Sequence, residues 1–335
     1  MNILFTCAGR RTYLLKYFKE QLGDNGLIIA GDMQLSAPAL TAADIKVQLP
    51  SVYSENYVPI LLNISKTYGV DALFSLNDLE LPILAKNKKL FKEIGVSPIV
   101  SDLELIDLCF DKLKMSEFVK SIGLISPKVF ISISECISKI NSQEVRFPII
   151  LKPRWGSGSI GIEVVDNEKD LRLAFDFLCG KIKRTILRNV SDEKEQILIQ
   201  EFISGNEYGL DIINDLNGSY VTTVVKKKIA MRAGETDKAM TIYSSELNTI
   251  GSTIGINSHH IANLDCDILE SDGNYYVIDM NPRFGGGFPF SYEAGVNLPA
   301  AIFKWLKSEK VDVNTFLNPV IGKTFAKCDY LVEIF

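Results

Sequence analysis

The sequence predicts a two-part protein, an α/β opening built on a parallel sheet and an α+β region with largely antiparallel sheets. Three observations lead there. Apolar runs of strand length alternate with helical spacing through about residue 100. From Ser101 onward, strand-like runs separated by polar turns predominate. The chain has 335 residues, roughly two domains at about 150 residues each.

In order, Ile3 to Cys7 reads as a first strand and Ala8-Gly9-Arg10-Arg11 as its turn. Tyr13, Leu14, Tyr17, Phe18 and Leu22 form one face of a helix, and Leu27 to Ala30 is the next strand. A helix over Tyr57 to Tyr68, a strand over Ala72 to Leu76 and a helix over Leu81 to Ile94 complete the alternation. In such sheets ligands sit beyond the C-terminal strand ends, where Gly9, Asp32 and Asn77-Asp78-Leu79-Glu80 fall. Gly9 and Asp32 equally suit plain turn roles, and Gly9 alone is no GxGxxG. Next come a short helix containing Asp111-Lys112 and a second through Val119. Strands are expected at Val129 to Ile133, Phe147 to Lys152, Ile162 to Val165, Ile197 to Phe202, Tyr208 to Ile213, Tyr220 to Val225, Leu264 to Leu269 and Tyr275 to Met280. Helices are expected at Asp170 to Leu178 and Ala300 to Leu306. The tail from Val311 ends in a Tyr-Leu-Val-Glu-Ile-Phe run that reads as a last strand or an interface.

Composition narrows the function classes. Apolar residues at 47% and charged residues at 23% exclude a disordered or fibrous chain. A net charge of −5 gives no global pull toward nucleic acid or an anionic membrane. The six cysteines are scattered without CxxC spacing, as expected for reduced thiols in a cytoplasmic protein. The first residues lack a basic segment ahead of a long apolar one, and no window reaches the 18 or so apolar residues of a spanning helix, so neither a membrane nor a nucleic-acid partner is expected.

Three stretches carry chemistry. From Phe147, FPIILKPRWGSGSIGI is a strand, Lys152 and a Gly/Ser loop, able to close backbone N–H groups and hydroxyls around phosphate oxygens. It is not GxxxxGK[ST], and a hairpin loop needing positive φ is the alternative. QEFISGNE places Glu201 at the end of an apolar strand and Glu207 six residues on, where carboxylates could read a base edge and a ribose or simply be solvated. In the third, Asp265, Asp267, Asp279 and Asn281 lie in two strands joined at Asp272-Gly273-Asn274. Alternation puts Asp279 and Asn281 on one face and Tyr276, Ile278 and Met280 on the other. A three-residue hairpin loop would set Asp267 opposite Asp279 and Asp265 opposite Asn281, four oxygen donors suited to Mg²⁺, whereas a two- or four-residue loop would flip one strand. His259-His260, among Ser and Asn, reads as exposed or capping.

Lys112 in its Phe-Asp-Lys context, Lys152 before GSGSIG, QEFISGNE and VIDMNPRFGGG, in this order, resemble the ATP-grasp superfamily, especially the synthetase domains of carbamoyl-phosphate synthase large subunits. The resemblance implies a pre-ATP-grasp, Rossmann-like domain over residues 1–100. It implies an ATP-grasp fold over 101–335, with a Gly-rich lid subdomain around 125–200. It further implies that Lys112 and Lys152 bind ATP phosphates beneath Gly156, Ser157, Gly158, Ser159 and Gly161. Glu201, Phe202 and Ile203 would be at the adenine, and Glu207 at the ribose. Asp279 and Asn281 would hold Mg²⁺, or Mn²⁺ in its place, with Asp265 at the remaining metal position fourteen residues before Asp279 and Asp267 beside it. Asp279 stands where the family usually has Glu. Arg283 would meet the reacting phosphoryl group, with Gly286 and Arg232 at the substrate; Arg232 belongs to the basic stretch after Lys226-Lys227-Lys228, which reads equally as a solvated run.

The implied activity is an ATP-dependent carboxylate–amine or carboxylate–ammonia ligase working through an acyl phosphate and releasing ADP and phosphate. The alternatives are bicarbonate or carbamate phosphorylation, and a non-catalytic ATP-binding module. The implied partners are a small carboxylate, an amine or ammonia, a second copy of the chain, and a separate ammonia-supplying subunit.

Overall fold

The computed structural model describes residues 1–156, 161–182 and 196–334. The opening alternates β1 (Asn2–Thr6), α1 (Thr12–Leu22), β2 (Ile28–Asp32), β3 (Ile45–Gln48), α2 (Tyr57–Thr67), β4 (Val70–Ser75), α3 (Leu81–Glu93) and β5 (Ser97–Pro98). All five strands run parallel in the order β3-β2-β1-β4-β5. The continuous apolar runs follow from burial on both faces. Ile3 and Phe5 pack toward Leu14 and Phe18 of α1, while Leu4 and Ile29 pack toward Tyr57 and Leu61 of α2 and Leu84 of α3. The strand order reverses between β1 and β4, so the C-terminal ends of these two strands flank a crevice. Gly9 and Asp32 act as turn partners there, the Gly9 N–H donating to Asp32 Oδ2 at 2.9 Å. β3 and β5 escaped the sequence reading because one alternates at half burial and the other has two residues.

Two helices follow, α4 (Leu103–Phe110) and α5 (Lys112–Ser121). The expected helix containing Asp111-Lys112 is corrected: Asp111 is the break between them. Its Oδ1 accepts from the Leu113 and Lys114 N–H groups at 3.0 and 3.4 Å, capping α5, and its carboxylate takes Arg154 Nε and Nη2 at 2.8 Å each. Lys112 is thereby fixed at the first position of α5.

β6 (Val129–Phe130), α6 (Ile133–Asn141), β7 (Ile149–Pro153), β8 (Glu163–Val165), α7 (Glu168–Ile182) and β9 (Ile197–Glu201) make a four-stranded sheet, β6-β9-β7-β8, around its own core of Ile149, Leu151, Leu171 and Ile199. The rest is β10 (Asn206–Asn214), β11 (Tyr220–Arg232), β12 (Glu235–Ile242), α8 (Ser245–Ser258), β13 (Ala262–Ser271), β14 (Asn274–Asn281), α9 (Phe288–Glu293), α10 (Leu298–Leu306), α11 (Val313–Phe316) and β15 (Thr324–Ala326). Six of these strands form an antiparallel sheet, β14-β13-β10-β11-β12-β15. The closing strand is Thr324–Ala326, paired with β12, and the Tyr-Leu-Val-Glu-Ile-Phe run that follows carries no strand in its described residues.

The six-stranded sheet has two chemically distinct faces, as period-two alternation requires. Tyr208, Leu210, Ile212, Val225, Leu264, Cys266, Val277 and Met280 share one buried apolar cluster. Their alternates project to the other side and build the site. Beneath the apolar face, His260 corrects the sequence expectation. His259 ends α8 in the left-handed region, but His260 is fully buried, with Nδ1 2.8 Å from Ser258 Oγ and Nε2 2.9 Å from the Ile212 carbonyl. Nε2 therefore carries the proton and donates to the carbonyl. Burial lowers this imidazole from 6.5 to about 4. The unfolded chain binds the extra proton between those values, so the contribution to stability is complete above about pH 6.5 and is lost as pH falls to about 4. His260→Gln is expected to remove a pH dependence of roughly 3 kcal/mol across that window, read as the difference between wild-type and variant urea midpoints. Parallel curves would mean that His260 does not titrate in this way.

Candidate active site

The β13–β14 hairpin positions the acidic residues by a route the sequence did not suggest. Its loop has two residues, Asp272 and Gly273, both with positive φ (50° and 76°), and Ser271 pairs with Asn274. A two-residue loop alone would put Asp267 across from Ile278. A bulge between the Ile268–Val277 and Asp267–Asp279 pairs adds one residue and shifts the register, so Asp267 faces Asp279 and Asp265 faces Asn281. The pairing is the expected one; the three-residue loop is corrected to a tight turn plus a bulge. The bulge also corrects the face assignment, because Val277 and Met280, three apart, are both in the core.

On the polar face, β10 contributes Glu207, Gly209 and Asp211, β11 Lys226 and Lys228, β13 Asn263, Asp265 and Asp267, and β14 Asp279 and Asn281. Two of the three lysines in the run, Lys226 and Lys228, are not solvated. Lys226 is bound to Asp211 and reaches Ser291 Oγ at 3.1 Å, and Lys228 Nζ bridges Glu207 Oε1 at 2.7 Å and Asp267 Oδ1 at 2.6 Å. Burial alone would lower the Lys228 ammonium; the Asp267 and Glu207 carboxylates overcome it and raise it. Gly209 makes this possible, since a Cβ there would lie 3.3 Å from Lys228 Cε and 3.6 Å from Lys226 Cε.

Arg283 follows β14 and crosses to the opening sheet, where Nε and Nη2 hold Asp78 at 2.7 and 2.9 Å, with Asp265 3.9 Å from Nη1. The Asn77-Asp78-Leu79-Glu80 stretch thus reaches the site through Asp78. Burial and the neighbouring Asp267 charge push the Asp265 carboxyl up to about 7, against the pull of Arg283. Gly285 packs onto Asp265 so closely that a Cβ would overlap its carboxyl group. Lys112 Nζ donates to the Gly156 carbonyl and lies 3.9 Å from Asp279 Oδ1. Burial, aided by Lys112, lowers the Lys152 ammonium to about 8, with Asp279 opposing.

A cleft of about 170 Å³ opens over this face, between the β11–β12 tip, Arg11 of the opening sheet and the Arg283–Gly287 turn. Gly286 and Asp265, Asp267, Asp279, Asn281 and Arg283 all line it. Arg232 does not; it is half-exposed and held by Asp329 at 2.7 Å and Asp237 at 3.1 Å, which corrects its assignment as a cleft contact. Glu201 ends β9, its carboxylate accepting the Lys128 N–H at 3.2 Å, with Phe202 and Ile203 next in the chain. Gly161 adopts the positive φ (74°) that the loop reading called for, and Gly156 likewise (113°). Ser157, Gly158 and Ser159 lie outside the described residues. Sequence reasoning gave no role to Arg11 or Glu235, or to Lys226 and Lys228 individually. Only the two lysines left a signal, their spacing of two on a strand.

The donor set fits a hard divalent cation. Asp265, Asp279 and Asn281 supply oxygen only, converge by register, and include a buried carboxyl driven upward for want of positive charge. Among the described residues no three His, Cys, Asp or Glu side chains close into a metal cage, and Lys228 already occupies Asp267. That agrees with Mg²⁺, which takes one or two carboxylates and completes its octahedron with water and substrate phosphates. Asp267 is therefore corrected from metal ligand to partner of Lys228.

A parallel opening sheet, an antiparallel sheet with one polar face and a four-stranded sheet carrying a buried lysine define the ATP-grasp class of proteins. Residues 145–289 match the ATP-grasp domain family and residues 3–99 the PylC-like N-terminal domain family. The chain thus carries an ATP-grasp domain over residues 145–289 and a PylC-like N-terminal domain over residues 3–99. Curated relatives include the carbamoyl phosphate synthase large chains of Clostridium beijerinckii, 22% identical over 216 residues, and Campylobacter jejuni, 23% over 222 residues. The matches cover 59% and 62% of this chain but only 18% and 19% of those proteins. Among solved structures, Rhizobium etli pyruvate carboxylase superposes with a TM-score of 0.76 at 15% identity, over 97% of this chain and 30% of that one. Campylobacter jejuni biotin carboxylase gives 0.73 at 17% identity (94% and 73% covered), and the L-amino acid ligase of Bacillus licheniformis 0.71 at 18% (96% and 79%).

Proposed function

We propose that this protein is an ATP-dependent ligase that phosphorylates a small carboxylate and joins the acyl group to an amine or ammonia, releasing ADP and phosphate. The observation that carries the reading is the arrangement around Asp279. Lys112 and Lys152 approach it from one side, Asp265 and Asn281 share its strand pair, and Arg283 sits at the mouth of the same cleft. Lys112 and Lys152 would neutralise nucleotide phosphates, and Asp265, Asp279 and Asn281 would hold Mg²⁺, with Mn²⁺ expected to substitute through the same oxygens. When bound, the metal supplies charge to the phosphoryl oxygens. Glu201, Phe202 and Ile203 would meet the adenine, and Glu207 the ribose; Lys228 holds Glu207 in place from the opposite strand.

Arg283 would stabilise the transferring phosphoryl group. Its bidentate anchor on Asp78 fixes the guanidinium plane, so little reorganisation is needed as charge develops. The reading divides the chain near residue 100 and takes the four-stranded sheet within 129–201 as the lid that keeps water from the acyl phosphate. One motif set argues for one phosphorylation per chain. Bicarbonate phosphorylation and a carbamoyl-phosphate-type product remain the second reading, favoured by the named relatives, and would call on a second copy or an ammonia-supplying subunit.

Trapping with hydroxylamine tests the reading. With Mg-ATP and pools of carboxylic acids, ADP release coupled to a hydroxamate from one pool is the expected result, and it names the acid class. ADP release with bicarbonate alone would move the assignment to the second reading. Tight Mg-ATP binding without turnover in any pool would reduce the protein to a nucleotide-binding module.

A further inference from the structure

Of the four cations that line the cleft, three are held in ion pairs. Lys226 is bound to Asp211, Lys228 to Glu207 and Asp267, and Arg283 to Asp78. Arg11 lines the same cleft, and among the described residues no carboxylate pairs with it. Its Nη1 donates to the Leu76 carbonyl at 2.7 Å, which pins the guanidinium and leaves its other donors unmatched. Arg11 sits just past the C-terminal end of β1, and Leu76 just past that of β4, so this cation marks the crevice where the strand order reverses.

The neighbourhood is mixed in sign, with the Glu235 carboxylate close enough to feel the Arg11 charge without an ion pair between them, while the backbone adds hydrogen-bond donors. Arg11 is also the N-cap residue of α1, whose start has no side-chain cap and no acidic residue in its first turn, leaving backbone N–H groups and the positive end of the dipole uncompensated. Tyr13, on that first turn, lies among the charges of Arg11, Glu235, Arg283 and Asp265. Its hydroxyl has no hydrogen-bond partner among the described residues, and burial raises it to about 12, so it is a neutral donor at physiological pH. Lys112 and Lys152, the nucleotide side of the site, do not line this part of the cleft.

We propose that Arg11 and Tyr13 form a subsite for an anionic group, a carboxylate or a phosphate, that the acid substrate carries in addition to the carboxyl being phosphorylated. The proposal rests on the ligase reading and specifies the class of acid. A monoanionic acid would engage only the phosphoryl site and leave the unmatched Arg11 donors without an anionic partner at bonding distance. A substrate with a second anion supplies what the protein lacks, and a planar carboxylate or a phosphate oxygen pair matches the guanidinium fork.

The test is equilibrium binding in the presence of Mg²⁺ and a non-hydrolysable ATP analogue, using chain-length-matched monocarboxylates, dicarboxylates and phosphonocarboxylates. Wild type is expected to bind one dianionic series at least tenfold more tightly than its monoanionic counterpart. Which series does so separates a carboxylate from a phosphate. In Arg11→Ala that ratio is expected to collapse to near one, Arg11→Lys to recover part of it, and Tyr13→Phe to lose a smaller part. Unchanged preference in Arg11→Ala, or no preference in wild type, would overturn the subsite. The nucleotide analogue is titrated separately, so a failure to bind it reports on the ligase reading, whereas normal analogue binding without acid preference reports on the subsite alone.

Discussion

Replacing Lys152 by methionine is expected to lower Mg-ATP turnover by at least about a hundredfold and at the same time to raise stability at neutral pH. Both effects come from one feature. Lys152 lies near the C-terminal end of β7, and among the described residues it has no ion-pair partner. Burial and the Lys112 charge bring its ammonium down from 10.5 to about 8, so at pH 7 the native state carries a charge it would shed more readily than the unfolded chain. By linkage that charge costs about 1 to 3 kcal/mol below pH 8, a cost that falls away as pH rises from 8 to 10.5. Removing it relieves the cost; binding a polyphosphate would relieve it another way, by supplying the counter-charge. Asn281→Ala should also abolish turnover, without the gain in stability, because Asn281 is a neutral donor bonded to Asp279 at 3.1 Å. ADP release and urea midpoints measured on the two variants check this. Wild-type turnover in either would take that residue out of the site, and a destabilised Lys152→Met would mean that the buried ammonium is better compensated than its surroundings indicate.

Local pattern carried the sequence reading as far as local pattern can reach. The alternation of the opening, Tyr57 to Tyr68 and Leu81 to Ile94, survives nearly residue for residue, because amphipathic helices on a doubly buried sheet leave an unmistakable period. α8 was missed for the opposite reason: Gly251, Gly255 and several Ser and Thr residues give it weak propensity, and it forms because Leu247 and Ile254 pack on the sheet. Asp272-Gly273 is a sequence signal for a two-residue turn, but no sequence rule announces the bulge that restores the acidic register. Asp78 and Arg283 are 205 residues apart, and Arg11 meets the cleft only because the two sheets assemble. Such pairings are set by tertiary packing, so the motif-bearing strands were legible while the groups arriving from the opening sheet were not.

Asp211→Ala is expected to cost about 3–5 kcal/mol, the largest stability loss of any charge deletion on the polar face. Asp211 is fully buried and Lys226 is 2% exposed. The carboxylate receives Lys226, the Ser291 hydroxyl and, at 3.3 Å, Asn263 Nδ2. Deleting it strands an ammonium beneath the cleft with Ser291 as its one remaining side-chain hydrogen-bond partner among the described residues. The pair's net worth is a different quantity, since two desolvation penalties offset most of its attraction, so Asp211→Leu with Lys226→Met should recover much of the loss. Function should recover with it. Asp211 lies directly across from Asp265 on adjoining strands, and like charges so placed repel unless a cation stands between or beside them. Lys226 supplies that charge from below, lowering the Asp265 carboxyl against the burial that raises it. The double variant keeps the sheet and removes the Asp211 repulsion together with the Lys226 attraction, the first of which weighs more on Asp265, so it should fold near wild-type stability and need no more Mg²⁺ than wild type for half-maximal turnover. Denaturation of the single and double variants, with a Mg²⁺ titration of the double, separates the two roles. A raised Mg²⁺ requirement would mean that the ammonium matters to the metal site beyond offsetting Asp211.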